Sequence, residues 1–331
     1  MRRCRFISDY WPVWKREIIV SFTINLAKAR GTCAGVNRAI ATVTKALELF
    51  GKDKVWVLHE VVHNKHVVEN LRKIGAHFIE TLDEAPEGCV LIFSAHGVSV
   101  EIQNEAQARG FHIIDATCPV VQVIHTKINR AAEYGIDAVV IGHKGHQEVL
   151  GTVGQYTGDK SKVHVIISEA DVEALDIDGN NACFATQTTL STDETAKTVK
   201  ALRAKYPNIQ GPRDADTCKA TQVRQNAIRE LAKISDVVLI AGSANSSNSN
   251  RLREVAESQG TRAYLVDDSS GIDLSWLEGV SSVGLSAGAS APEYIVEEII
   301  EFLNKNGATA LQEVGSDLNE RTFQLPRKGL P

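Results

Sequence analysis

The sequence predicts an α/β protein with parallel sheets, built from three similar units, and two observations carry that expectation. Short apolar runs alternate with amphipathic stretches: EIIVSFTI (17–24), KVWVL (54–58), CVLIF (89–93), AVVIG (138–142) and VVLIAG (237–242) read as strands buried on both faces. Strand–helix alternation of this kind is the mark of α/β architecture. Polar signals also return in the same order three times, as a repeated supersecondary unit would leave them.

Each unit opens with a cysteine at a predicted strand-to-helix junction: RGTCAGV (Cys33), DATCPVV (Cys118) and ADTCKAT (Cys218). After Cys33, residues Val36, Ile40, Val43, Leu47 and Phe50 recur at helical spacing, and Gly51 is placed to end the helix. A second polar station closes a strand: HEVVHN (59–64), GHKGHQE (142–148) and GSANSSN (242–248). A third closes another: SAHG (94–97), ATQTT (185–189) and SAGAS (286–290). The expected units are 17–117, 118–212 and 213–310, between an N-terminal extension (1–16) and a C-terminal tail (311–331). Packed around a pseudo-threefold axis, they would bring together the strand ends where open α/β sheets bind ligands.

Composition narrows the function. With 331 residues, 43% of them hydrophobic, the chain can bury a large core. A net charge of −5 argues against a nucleic-acid groove, which leaves a basic imbalance. No apolar run approaches the roughly 18–20 residues a bilayer span requires. The opening MRRCRFISDYWPVWKR is basic but lacks the apolar core and cleavage site of a targeting signal. Six cysteines without a C-x-x-C pair, in a chain too long to need disulfide staples, point to a reducing, cytoplasmic compartment. Of these, Cys89 and Cys183 begin strands and read as core, and Cys4 has no evident role.

A cysteine at a helix N-terminus faces the positive end of the helix dipole, which favours thiolate. Three thiolates without a fourth suit a 4Fe–4S cluster with one open iron, or a zinc with one open site. Separations of 85 and 100 residues between the cysteines fit a cluster bridging units better than a zinc site, which draws on close neighbours. The second and third stations supply His63, His96, His146, Thr188, Ser246, Ser247, Asn248 and Ser290, with hardly any Lys or Arg. Many donors around one anion can bind a diphosphate without a basic patch. His59, His143 and Asn245 are expected to support that shell. Glu148, in a closed apolar pocket, would keep its proton and serve as an acid, with Thr188 as a relay to substrate.

From about Ile18 to about Pro326 the sequence resembles the 4-hydroxy-3-methylbut-2-enyl diphosphate reductase family. The resemblance rests on G-T-C-A-G-V, H-E-V-V-H-N, S-A-H-G-V-S, D-A-T-C-P, G-H-x-G-H-x-E, T-Q-T-T-L-S, N-S-S-N-S-N-R-L and A-G-A-S-A-P, in family order. It implies a trefoil of three α/β domains around one 4Fe–4S cluster held by Cys33, Cys118 and Cys218. It implies a small allylic diphosphate held by His63, His96, His146, Ser246, Asn248 and Ser290, with Ser247 alongside, and Glu148 and Thr188 delivering protons. The products implied are isopentenyl and dimethylallyl diphosphate, and the electron donor a ferredoxin or flavodoxin. Gln147, where the family has Pro, and Ala244, where Lys is common, depart from the pattern without removing a ligand. Two readings stand beside this one. A dehydratase of dicarboxylates would call for Arg-rich clamps, and a non-catalytic iron–sulfur sensor has no need of Glu148.

Overall fold

The computed structural model describes residues 21–212, 216–318, 320 and 322–330. The extension 1–16, with Cys4, lies outside the described residues.

All sheet pairings are parallel, so successive strands are joined by crossover segments, most of them helical. The chain runs β1 (Phe22–Ala27), α1 (Ala34–Phe50), β2 (Val55–Leu58), α2 (Lys65–Lys73), β3 (His77–Ile79), β4 (Val90–Phe93), α3 (Val100–Ala108) and β5 (His112–Asp115). It continues through α4 (Pro119–Glu133), β6 (Asp137–Ile141), α5 (Gln147–Val153), β7 (Val163–Ile166), α6 (Glu169–Ala174), β8 (Ala182–Thr186) and α7 (Thr192–Lys205). The last third holds α8 (Lys219–Ala232), β9 (Val237–Ala241), α9 (Ser247–Ser258), β10 (Arg262–Val266), β11 (Ser282–Ala287), α10 (Glu293–Lys305) and β12 (Ala308–Val314).

The repeat seen in the sequence is also a repeat of strand order. The three sheets read β3-β2-β4-β5, β7-β6-β8 and β10-β9-β11-β1-β12. Each has the first strand after the cysteine helix at its centre, flanked by the next two. A fourth position then follows: β5 beside β4, an isolated pairing of Gln210 with Cys183 beside β8, and β1 beside β11. Those fourth segments lead into Cys118, Cys218 and Cys33 respectively. Helix α1 packs on β2 and β4, α4 on β6 and β8, and α8 on β9 and β11. Every cysteine therefore sits where the chain leaves one sheet and begins the helix covering the next.

Strand β1 differs from the expectation. Among the described residues it runs Phe22–Ala27, past the expected end at Ile24, while 17–20 lie outside the described residues; it pairs with β11 and β12, not with the strands of 55–115. Its Phe22, Ile24 and Leu26 are buried among side chains of β9, β11 and α10, which fixes its place in the last sheet. The other runs fall where predicted. Val90–Phe93 and Val237–Ala241 are buried at every position, as strands covered on both faces must be. Helix α1 is capped at its start by Cys33 and ended by Gly51 at φ +93°. Its buried face includes Arg38 and Thr42 as well as Val43 and Leu47. Among the described residues no helix is long and apolar enough to cross a membrane.

Candidate active site

The second stations lie at the C-terminal ends of β2, β6 and β9, and the third at those of β4, β8 and β11. One cavity takes in side chains from all of them together with Cys33, Cys118 and Cys218. Every residue singled out above as a catalytic, substrate-binding or metal-ligating candidate lines it: the three cysteines, His63, His96, His146, Glu148, Thr188, Ser246, Ser247, Asn248 and Ser290. No Lys or Arg does. His143 lies in a different depression, and His59 pairs with Glu80 at the surface.

Cys33 and Cys218 N-cap their helices, their sulfurs accepting from Val36 N–H at 3.5 Å and Thr221 N–H at 3.4 Å. Cys118 precedes Pro119, which suits the first helical turn. A methyl group built on Gly35 would lie 2.7 Å from the Cys118 sulfur and 3.8 Å from that of Cys33. The two sulfurs are thus no farther apart than the sum of those distances, and only glycine fits between them. The helix dipole does not win here, contrary to the expectation of ready thiolates. Burial pushes the Cys33 thiol up and the Cys118 thiol up to about 12. Among the described residues no group of three or more His, Cys, Asp or Glu is placed to hold a single metal ion.

Three imidazoles form one cluster on the cavity wall. His63 stacks on His96 with centroids 4.2 Å apart, and His146 meets them edge-on at 5.6 and 6.0 Å. Burial, reinforced by the neighbouring rings, holds His96 well below its ordinary value and His146 down at about 4. His146 Nδ1 accepts the Glu148 N–H at 3.1 Å, which leaves the ring proton of the neutral form on Nε2 as a donor. His63 Nδ1 pairs with Glu60 at 3.0 Å, and Asn245 donates to the same carboxylate at 2.8 Å. That partnership with His63 holds Glu60 below the usual carboxylate range.

Glu148 is 3% exposed. Its carboxylate accepts from Thr188 N–H at 2.7 Å and from the Thr188 hydroxyl at 2.8 Å. Burial outweighs these bonds and raises its pKa to about 7. Ser246 N-caps α9, and Ser247 accepts from Thr189 at 3.0 Å. Ser290 donates to the His63 carbonyl at 2.9 Å, tying two stations together. Asn248 is buried, yet neither end of its amide has a partner. An unmade pair of hydrogen bonds on a buried amide is unfavourable unless a ligand completes it.

Sequence reasoning missed Thr221, whose hydroxyl lies 3.2 Å from the Cys218 sulfur, and Gln187, which bonds the Thr189 and Ser247 hydroxyls. Each stands beside a motif residue, three places after a cysteine or one before Thr188, and that proximity was the available signal. It also missed the C-terminal tail. Glu320 accepts from Ala34 N–H at 2.9 Å, directly after Cys33, from a segment in which the sequence shows no motif.

Parallel α/β sheets whose strand ends join three cysteines, three imidazoles and a protonatable carboxyl in one cavity define an α/β enzyme with a small-ligand site. The chain belongs to the LytB protein family, whose profile matches residues 24–304. It is 52% identical over 309 residues to the 4-hydroxy-3-methylbut-2-enyl diphosphate reductase of Acinetobacter baylyi, covering 92% of this chain and 97% of that one. It is 49% identical over 307 residues to the reductase of the same name from Shewanella oneidensis, covering 92% and 96%. The structure of E-1-hydroxy-2-methyl-but-2-enyl-4-diphosphate reductase from Plasmodium falciparum superposes with a TM-score of 0.86 at 33% identity, covering 94% of this chain and 97% of that one. A second reductase structure, described as the terminal enzyme of the non-mevalonate pathway, gives a TM-score of 0.60 at 30% identity, covering 86% and 99%.

The raised pKa of Glu148 makes stability depend on pH. Its proton is held more tightly folded than unfolded, so its contribution is complete below the ordinary carboxyl value of 4.5 and is lost as pH rises through about 7. Glu148→Gln removes that loss. Thermal unfolding should show the variant more stable than the parent at pH 8, by up to about 3 kcal/mol, with the gap closing at pH 4. A gap independent of pH would contradict the assignment.

Proposed function

We propose that the chain is a reductase of 4-hydroxy-3-methylbut-2-enyl diphosphate that yields isopentenyl and dimethylallyl diphosphate at a 4Fe–4S cluster with one open iron. The observation that carries this reading is a single cavity holding three widely separated cysteines, a cationless wall of donors and a buried carboxyl with a pKa near 7. The names of the relatives agree with it.

The residues present fit the cluster. Three sulfurs from far-apart positions in the chain share one cavity, a donor set that suits a cluster with one open iron. Gly35 leaves room at the sulfurs that any side chain would fill. Cys33, Cys118 and Cys218 would be the ligands. Since the Cys33 and Cys118 thiols are held protonated by burial, loading would release protons. Such a centre supplies two electrons, one at a time, and a Lewis-acid position for the substrate hydroxyl. The units, taken as 17–117, 118–212 and 213–310, would pack as a pseudo-threefold trefoil around it. The cyclic handing of strands from one sheet to the next supports that arrangement.

His63, His96, His146, Ser246, Ser247, Asn248 and Ser290 would hold the diphosphate. Imidazole N–H groups, hydroxyls, the free amide of Asn248 and the N–H groups opening α9 are donors suited to phosphate oxygens. Replacing C–OH by C–H takes two electrons and two protons, one proton leaving in water and one ending on carbon. Glu148 would give a proton through the Thr188 hydroxyl, which bonds its carboxylate. Its pKa near 7 leaves donor and acceptor forms both populated at neutral pH. The apolar wall of Val62, Ala95, Val120 and Val121 would limit water. Electrons would come from a ferredoxin or flavodoxin. All five described cysteines are free, which is consistent with a reducing cytoplasm.

Given a chemical or photochemical reductant, the loaded protein should convert the substrate to both products. Glu148→Gln should bind it with unchanged affinity and turn over at least about 100-fold more slowly, and parental turnover would remove Glu148 as the acid. Gly35→Ala should fold with unaltered circular dichroism yet retain little iron after anaerobic purification. A full iron complement in that variant would show that the space beside Cys118 is not the cluster's.

A further inference from the structure

Each cysteine helix carries one cation that reaches across to the junction just ahead of the next cysteine. From α1, Arg38 Nη1 donates to the Thr117 carbonyl at 3.0 Å, one residue before Cys118. From α4, Lys127 Nζ bonds both oxygens of Asp216, at 3.0 and 3.1 Å, two residues before Cys218. From α8, Arg224 donates through Nε and Nη2 to the Gly31 carbonyl, at 3.0 and 2.7 Å, two residues before Cys33. The circuit closes: the helix of each cysteine holds the next, and the last holds the first.

Burial and tail contacts separate the two arginines from ordinary surface cations, whereas Lys127 is part-exposed and stands out only by its two-point bond to Asp216. Arg224 is fully buried and Arg38 is 7% exposed. Taking a guanidinium out of water is unfavourable unless its donors are matched, and both are matched largely by backbone carbonyls. Arg224 has a further bond to the Ala220 carbonyl and a 2.5 Å ion pair with Glu320. Arg38 Nε donates to the Gln324 carbonyl at 2.8 Å. The C-terminal tail therefore fastens two of the three contacts, and Glu320 also takes the N–H that follows Cys33. In the third, Asp216 accepts the Thr186 N–H at 3.1 Å, so Lys127 steadies a residue already tied to the end of β8.

We propose that Arg38, Lys127 and Arg224 form a cyclic set of positioning residues, each fixing the cysteine of the following unit, with Glu320 and the Gln324 carbonyl locking two of them. The cations touch no reacting atom. They set where Cys118, Cys218 and Cys33 stand relative to one another, and the proposal rests on the reading of those cysteines as ligands of one centre.

The set has a signature that a merely structural role lacks, because each cation governs the cysteine of the next unit. In the reduced, metal-free full chain, alkylation by iodoacetamide is followed cysteine by cysteine by mass spectrometry. Lys127→Met should speed alkylation of Cys218 about tenfold and leave Cys33 near the parental rate, and Lys127→Arg should restore it. Glu320→Gln, which spares the buried guanidinium, should act on Cys33 in the same selective way. Equal acceleration at all three cysteines, or none, would overturn the proposal. In the iron-loaded protein, loss of iron to a chelator should run about 10–100-fold faster in Lys127→Met. Parental chelation rates in a loaded variant would count against the proposal. A parent that binds no iron would instead overturn the cluster reading, and the alkylation pattern would still decide the positioning role.

Discussion

The structure depends on one constraint, the position of each cysteine at the seam between two sheets. The segment before it pairs with one sheet and the helix after it covers another. A cysteine so placed cannot belong to one unit alone. At Cys33 and Cys218 the N-cap bond holds the sulfur against the first turn of a helix, and the parallel strands aim the neighbouring loops at the same cavity. Strand β1 completes the pattern. By joining β11 rather than the sheet that follows it in sequence, it makes the last unit hand the chain back to the first.

Burial then sets the electrostatics of what this seam encloses. The cavity raises the Cys33 and Cys118 thiols and the Glu148 carboxyl and lowers the imidazoles of His96 and His146, so burial favours the uncharged form of each of these groups. Uncharged donors of this kind suit an anionic ligand, and the one pairing at the wall, His63 with Glu60, leaves the other donors of the cavity unengaged by carboxylates. Lys and Arg are absent from the lining, and behind the cysteines Arg38 and Arg224 bond backbone carbonyls while Lys127 bonds the Asp216 carboxylate.

Much of this was legible in the sequence, for identifiable reasons. Cys33, Cys118 and Cys218 stood out because the same junction recurs three times, and His63, His146 and Ser246 because they hold matching places in it. Glu148 stood out as a carboxylate in a loop otherwise free of acids. Local periodicity marked β2, β4, β6 and β9 within a residue or two. What escaped acts over long separations through groups every residue possesses. Arg38 grips a carbonyl at Thr117 and Arg224 one at Gly31, and no motif records which carbonyl a guanidinium will find. The partner of β1 lay some 260 residues away. At Cys33 and Cys118 burial raises the thiol pKa against the helix terminus, and that terminus is visible in sequence whereas the depth of burial is not.

The central claim is that three sulfurs from separate seams hold one multinuclear centre with a coordination position free for the reactant. Mössbauer spectroscopy of anaerobically prepared, iron-labelled protein, recorded with and without the diphosphate substrate, tests it most directly. The account predicts a four-iron cluster in which one iron is spectroscopically distinct and changes when substrate is added. Irons that are all alike and indifferent to substrate, or a single isolated metal, would contradict it.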